Sequence, residues 1–173
     1  MTKDEFWASI QSTRRRESDE RIERLVAALA KRGEKEILAF AKWWFQFHQK
    51  AYSWKLWGAA YIMNGGCSDD GFIDFRSWLL LQGRAVYEAA RKDPESLAKL
   101  RVELDEASCE CYPAQEAFER ATGTTASDAF YTAFNAKYGP GQPPPELGDG
   151  WDFDDETEMR RRYPRLTAKY NEE

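Results

Sequence analysis

The chain has 173 residues, of which 42% are hydrophobic, 32% charged and 14% aromatic, with seven Trp and a net charge of −5. That length fits one domain with a core that large rings can fill, and the negative charge disfavours nucleic acid as a partner, because phosphate binding needs a basic surface. The charged start Met1-Thr2-Lys3-Asp4-Glu5 carries no apolar signal segment, no stretch reaches the roughly 20 apolar residues of a membrane span, and three cysteines without an export signal point to free thiols in a reducing cytoplasm.

Phe6, Trp7 and Ile10 share one face of a predicted helix from Asp4 to about Arg15, capped by Thr2 or Asp4. The Arg14-Arg15-Arg16 run reads as its solvated end. A second helix spans Asp19 to Arg32, with Ile22, Leu25, Val26 and Leu29 as its stripe and Gly33 as its stop. The third, Glu34 to about Tyr52, is apolar on most sides and is expected to be the central helix. Trp54 to Met63 forms the fourth, where Gly58, Ala59 and Ala60 allow close approach of another helix. Asn64-Gly65-Gly66 breaks it, and a fifth helix runs from Ser68 to Gly83.

Arg84 to Lys92 is helical, and Asp93-Pro94 ends it while opening a weaker amphipathic helix over Glu95 to about Glu110. Pro113 opens a helix over Ala114 to Ala121. Thr124 or Thr125 caps another that holds Phe130, Tyr131 and Phe134. From Gly139 to Pro145 the composition turns to Gly and Pro, an extended segment. Trp151 and Phe153 follow among acids, then a last helical stretch around Met159 that Pro164 breaks. Alternating β patterns are absent. The expected fold is mainly α, a compact single-domain bundle of about seven to nine helices. It divides into a helical core 1–138, a linker 139–150, and a C-terminal aromatic and acidic segment 151–173 packed on that core.

The most distinctive stretch is the turn Asn64-Gly65-Gly66-Cys67-Ser68-Asp69-Asp70-Gly71. Ser68 is a good N-cap, and Asp69 and Asp70 suit the positive end of the following helix dipole, so capping alone accounts for them. The functional reading has Gly65 and Gly66 presenting the two carboxylates to a cation, an amine or a basic peptide. Calcium-loop spacing and a phosphate-loop Lys are both missing, so Asp69 and Asp70 are weak metal candidates and no metal or cofactor is assigned.

Arg76 lies on an apolar helix and needs a partner; Asp69 or Asp70 is plausible. His48, the single histidine, is the one residue a His-based catalytic pair could use. Cys67 sits near a helix start that could lower its pKa, but adjacent acids oppose that. Cys109 and Cys111 are half of a zinc pattern without its other half. Trp54, Trp57, Tyr61 and Trp78 read as core, or alternatively as an aromatic cage.

The run Trp54-Lys55-Leu56-Trp57-Gly58-Ala59-Ala60-Tyr61-Ile62-Met63-Asn64-Gly65-Gly66-Cys67-Ser68-Asp69-Asp70-Gly71-Phe72 resembles the signature of a bacterial family, the domain-of-unknown-function family 4240. Phe75-Arg76-Ser77-Trp78-Leu79, Gln82-Gly83, the opening Phe6-Trp7 helix and the closing Arg162-Tyr163-Pro164-Arg165-Leu166 are similar to it as well. The resemblance implies a cytoplasmic bacterial protein and transfers no catalytic residues. The expected function is non-catalytic: binding of a protein or small molecule at Trp57, Tyr61, Asn64, Gly65, Gly66, Ser68, Asp69, Asp70 and Arg76. The alternative is a carboxylate- or metal-dependent enzyme centred on Asp69, Asp70 and Arg76.

Overall fold

The first helix begins with a reciprocal cap. Thr2 Oγ1 accepts from the Glu5 N–H at 3.2 Å while Glu5 Oε2 accepts from the Thr2 N–H at 2.6 Å, so two orphan donors are satisfied at once. The structure, a computed structural model, describes residues 1–13 and 18–171; the Arg14-Arg15-Arg16 run lies outside them. The described residues form ten α-helices and one 3₁₀ turn, joined by irregular segments, and contain no strand. The fold is all-α.

The chain falls into two units. The first comprises Met1–Phe47 and Cys111–Pro143, and the second His48–Glu110 and Pro144–Glu173. The first holds α1 (Lys3–Ser12), α2 (Ser18–Ala30), most of α3 (Glu34–Lys50), α7 (Pro113–Thr122) and α8 (Ala129–Tyr138). Leu25, Val26 and Leu29 of α2 are fully buried, as is Ala117 of α7, the helix it packs on. Arg120 grips Glu23 through two bonds of 2.7 and 3.0 Å on the rim of that contact. Phe6 packs on Phe40 and Phe47 with ring centroids 4.8 and 5.2 Å apart, and Ile37, Ala41 and Trp44 of α3 are buried as well. Asp128, not Thr124 or Thr125, precedes α8; the Thr124 hydroxyl instead accepts from the Ala126 N–H in a local turn.

The second unit holds the end of α3, α4 (Trp54–Met63), α5 (Asp69–Leu81), α6 (Arg84–Lys92), a 3₁₀ turn Pro94–Lys99, α9 (Glu156–Arg162) and α10 (Pro164–Asn171). Pro164 splits the expected last helix in two, which helps raise the count to ten. The helix expected over Glu95 to Glu110 is a correction. Only the 3₁₀ turn forms, and residues 100–110 run irregularly. Their backbone is committed elsewhere: Asp105 N donates to Met63 O at 3.0 Å and Cys109 N to Asp74 O at 3.2 Å. The Asn64 amide binds both the N–H and the C=O of Ala107, at 3.1 and 3.2 Å. Those long-range bonds replace the intrahelical ladder, and a weak amphipathic pattern did not outweigh them.

The close approach anticipated at Gly58 is made by a ring. A Cβ there would lie 2.5 Å from the Tyr163 hydroxyl, which donates to Lys55 O at 2.8 Å. Glu95, buried, caps α10 from across the unit. Its carboxylate accepts from Arg165 N at 2.7 Å and Leu166 N at 3.0 Å, a negative charge on orphan donors at the positive end of the helix.

Gly58→Ala is expected to lower stability by about 1–3 kcal/mol through overpacking against Tyr163. Equilibrium urea unfolding checks this; an unchanged midpoint would mean the Tyr163 ring moves aside freely.

Candidate functional site

The double glycine ends α4. Gly65 is left-handed at φ +62°. Gly66 N donates to Tyr61 O at 2.8 Å and Gly65 N to Ile62 O at 3.5 Å. These are the two bonds of a Schellman cap, which satisfies the last carbonyls of the helix. The added Cβ of an alanine at Gly65 would meet only Leu104, at 3.9 Å, so the glycine is required by backbone conformation and not by crowding. Two residues later Ser68 caps α5, its hydroxyl accepting from Gly71 N at 3.1 Å. One turn therefore closes a helix and opens the next.

Asp69 and Asp70 occupy the exposed first turn of α5. Asp74 follows four residues after Asp70, on the same helix face. Its carboxyl is raised above the usual range, first by partial burial, then by the charges of Glu110 and Asp70. Like charges have thus been gathered here, and among the described residues none of these four carboxylates is in an ion pair. The spacing of Asp70 and Asp74 was legible in the sequence; the approach of Glu110 depends on the irregular 100–110 segment and was not.

Arg76 does not join this group. It is buried, with Nε donating to Phe72 O and Nη1 to His48 O, each at 3.1 Å. Its guanidinium lies over the rings of Phe72 and Tyr52, 4.9 and 5.0 Å from their centroids. The expected pairing with Asp69 or Asp70 is corrected: those carboxylates sit in water, whereas the His48 carbonyl, in the last turn of α3, is an acceptor that the helix itself leaves open. Arg91 Nε serves Lys50 O in the same turn at 2.9 Å.

His48 Nε2 lies 3.2 Å from Ser77 Oγ, a distance that suits a nucleophile and its base. The chemistry does not follow. Ser77 is buried. Burial of the imidazole, reinforced by the Arg76 charge, pushes the His48 pKa down to about 3. A base that weak takes up almost no proton at neutral pH. Cys67 is likewise held as a thiol, pushed up to about 11 by burial and by Asp74.

Trp57 and Tyr61 face a different neighbour. Trp57 Nε1 donates to Cys67 O at 2.9 Å, and its ring stacks on Phe72 at 4.8 Å. Tyr61 donates to Asp154, which raises the phenol's pKa, and its ring lies 5.4 Å from Phe153. So the structure brings Trp57 against the 67–72 turn, leaves Tyr61 with the C-terminal segment, ties Asn64 to Ala107, and buries Arg76. In the sequence Phe153 and Asp154 stand out only as part of an aromatic and acidic stretch.

The sequence model of a family described as Protein of unknown function (DUF4240) matches residues 1–124. That range includes the whole Trp54–Gly83 stretch, while Arg162–Leu166 lies beyond it. Comparison with curated proteins found no match, and comparison with solved structures found none either.

Arg76→Ala is expected to cost about 2–4 kcal/mol, since it strands the His48 carbonyl and leaves a void. His48 has a separate pH signature. The unfolded residue binds a proton near pH 6.5 and the folded one only near 3, so its contribution is whole above pH 6.5 and is lost as pH falls from there toward 3. The loss approaches about 1.4 kcal/mol per pH unit. His48→Gln should flatten the stability profile over that window; urea titrations of both proteins at several pH values check it.

Proposed function

Because the chain belongs to the family described as Protein of unknown function (DUF4240), it inherits no activity from that description, and we propose from its own residues that it is a non-catalytic interaction module of the bacterial cytoplasm. The binding face is the acidic turn 64–71, extended by Asp74 and Glu110. One observation carries this reading: four carboxylates gather there, none of them in an ion pair among the described residues and three of them, Asp69, Asp70 and Glu110, exposed. An uncompensated like-charge group destabilises the free protein slightly and is relieved by a cation. The exposure of Asp69 and Asp70 on a helix end fits a basic segment of a partner protein better than an enclosed small molecule. Three free cysteines, Cys67, Cys109 and Cys111, accord with a reducing compartment.

The rival, a carboxylate- or metal-dependent enzyme at Asp69, Asp70 and Arg76, finds less support. Arg76 is committed to two carbonyls on the buried side of α5. Among the described residues no group of three or more His, Cys, Asp or Glu side chains is arranged to hold a metal ion. His48 and Cys67 are held in their neutral forms.

The test is a titration with an oligolysine peptide at low salt, followed by anisotropy. The doubly neutralised variant Asp69→Asn with Asp70→Asn should bind about tenfold more weakly, the size expected for two rim charge pairs. Binding that is equal in both proteins would sink the acidic-face reading. A thermal shift with a divalent cation that disappears in Asp70→Asn would favour the enzyme instead.

A further inference from the structure

Between α8 and α9 the chain has no helix from Gly139 to Asp155, yet part of it is held against the second unit at defined points. Trp54, Trp57 and Tyr61 stand three and then four residues apart on α4, so they form one stripe. A non-helical segment lies along that stripe, where another helix could have packed. Trp54 Nε1 donates to Gly148 O at 3.1 Å. Gly150 is pressed to the Trp54 ring so closely that a Cβ would fall 2.7 Å from it. Phe153 sits among all three rings, 5.9, 6.4 and 5.4 Å from their centroids. Asp154 receives the Tyr61 hydroxyl. Backbone carbonyl, glycine contact, aromatic plug and carboxylate are the marks of a linear peptide in a groove.

The segment is also weakly seated. Phe153 is only half-buried, and Asp152, Asp154 and Asp155 are exposed. Trp151, 4.0 Å beneath the Arg162 guanidinium, has its indole N–H buried with no hydrogen-bond partner, which disfavours the seated state. A Gly- and Pro-rich stretch, Gly139–Pro145, precedes it, and such a tether keeps a weak ligand near its site by effective concentration. The groove lies within the residues that the family model matches; the occupant lies beyond them.

We propose that Gly148–Asp155 is an intramolecular ligand, and that the Trp54–Trp57–Tyr61 stripe is a docking groove for a non-helical partner segment bearing an aromatic residue followed by an acid. The groove uses none of the carboxylates Asp69, Asp70, Asp74 and Glu110, so either reading can stand without the other. The seated strap blocks the groove, and a partner must displace it.

The experiment uses the full chain and a fluorescent peptide of sequence Gly-Asp-Gly-Trp-Asp-Phe-Asp-Asp, that of residues 148–155. Phe153→Ala removes the plug. Gly150→Ala drives a methyl into the Trp54 ring and unseats the strap without removing an aromatic, which keeps the test open if the first variant folds poorly. Peptide binding at least tenfold tighter to either variant than to the wild-type chain, and lost when the peptide's Phe becomes Ala, is the expected result. Equal binding to all three proteins, or binding to none, overturns the proposal.

Discussion

A buried guanidinium organises the second unit. Arg76 is one of few charges withdrawn from water here, and burying a cation without acceptors is prohibitive. Its two carbonyl partners come from different helices, Phe72 on α5 and His48 at the end of α3. The bond therefore fixes where α3 stops against α5. It also places a positive charge beside His48 and Cys67, contributing to the neutral imidazole while partly opposing the acidic surroundings of the thiol. Tyr52 and Phe72, whose ring centroids are 5.8 Å apart, both lie against the cation, an aromatic setting that suits a guanidinium better than an ammonium.

The same logic recurs at other helix ends. Each helix leaves donors at its start and acceptors at its finish, and this chain meets many of them with side chains distant in sequence. Glu95 caps the start of α10, and Arg91 meets a carbonyl in the last turn of α3. This explains what could be read in advance. Local caps were legible: Ser68 before α5, the glycine pair after α4, and Thr2, one of two candidates, before α1. α4 and α6 lie at the expected residues because their stops are local glycines, prolines and polar caps. Distant caps carry no local pattern, and neither does the irregular run 100–110, whose backbone bonds go to Met63, Asn64 and Asp74.

The site follows the same division. Ser68, Asp69 and Asp70 at a helix start were readable, and the structure puts them there. The glycine pair completes the end of α4, and Arg76 belongs to the interior. What lay out of reach was the company each residue keeps. Nothing near Asp70 announces Glu110, nor does anything near Tyr61 announce Asp154, because both arrive by folding of segments with weak patterns.

The bond between Asn64 and Gly65 has a chemical consequence. An Asn followed by Gly loses its side-chain amide readily when the next backbone nitrogen can attack the side-chain carbonyl and close a succinimide ring. Here both halves of that reaction are restrained. The amide is engaged at both ends by Ala107, and the Gly65 nitrogen is turned toward Ile62. Ring closure needs the turn to open first, so spontaneous conversion of Asn64 to aspartate and isoaspartate serves as a clock for that opening. Once converted, the residue can no longer donate to the Ala107 carbonyl, and the tie between the end of α4 and the 100–110 run is weakened in molecules that have aged.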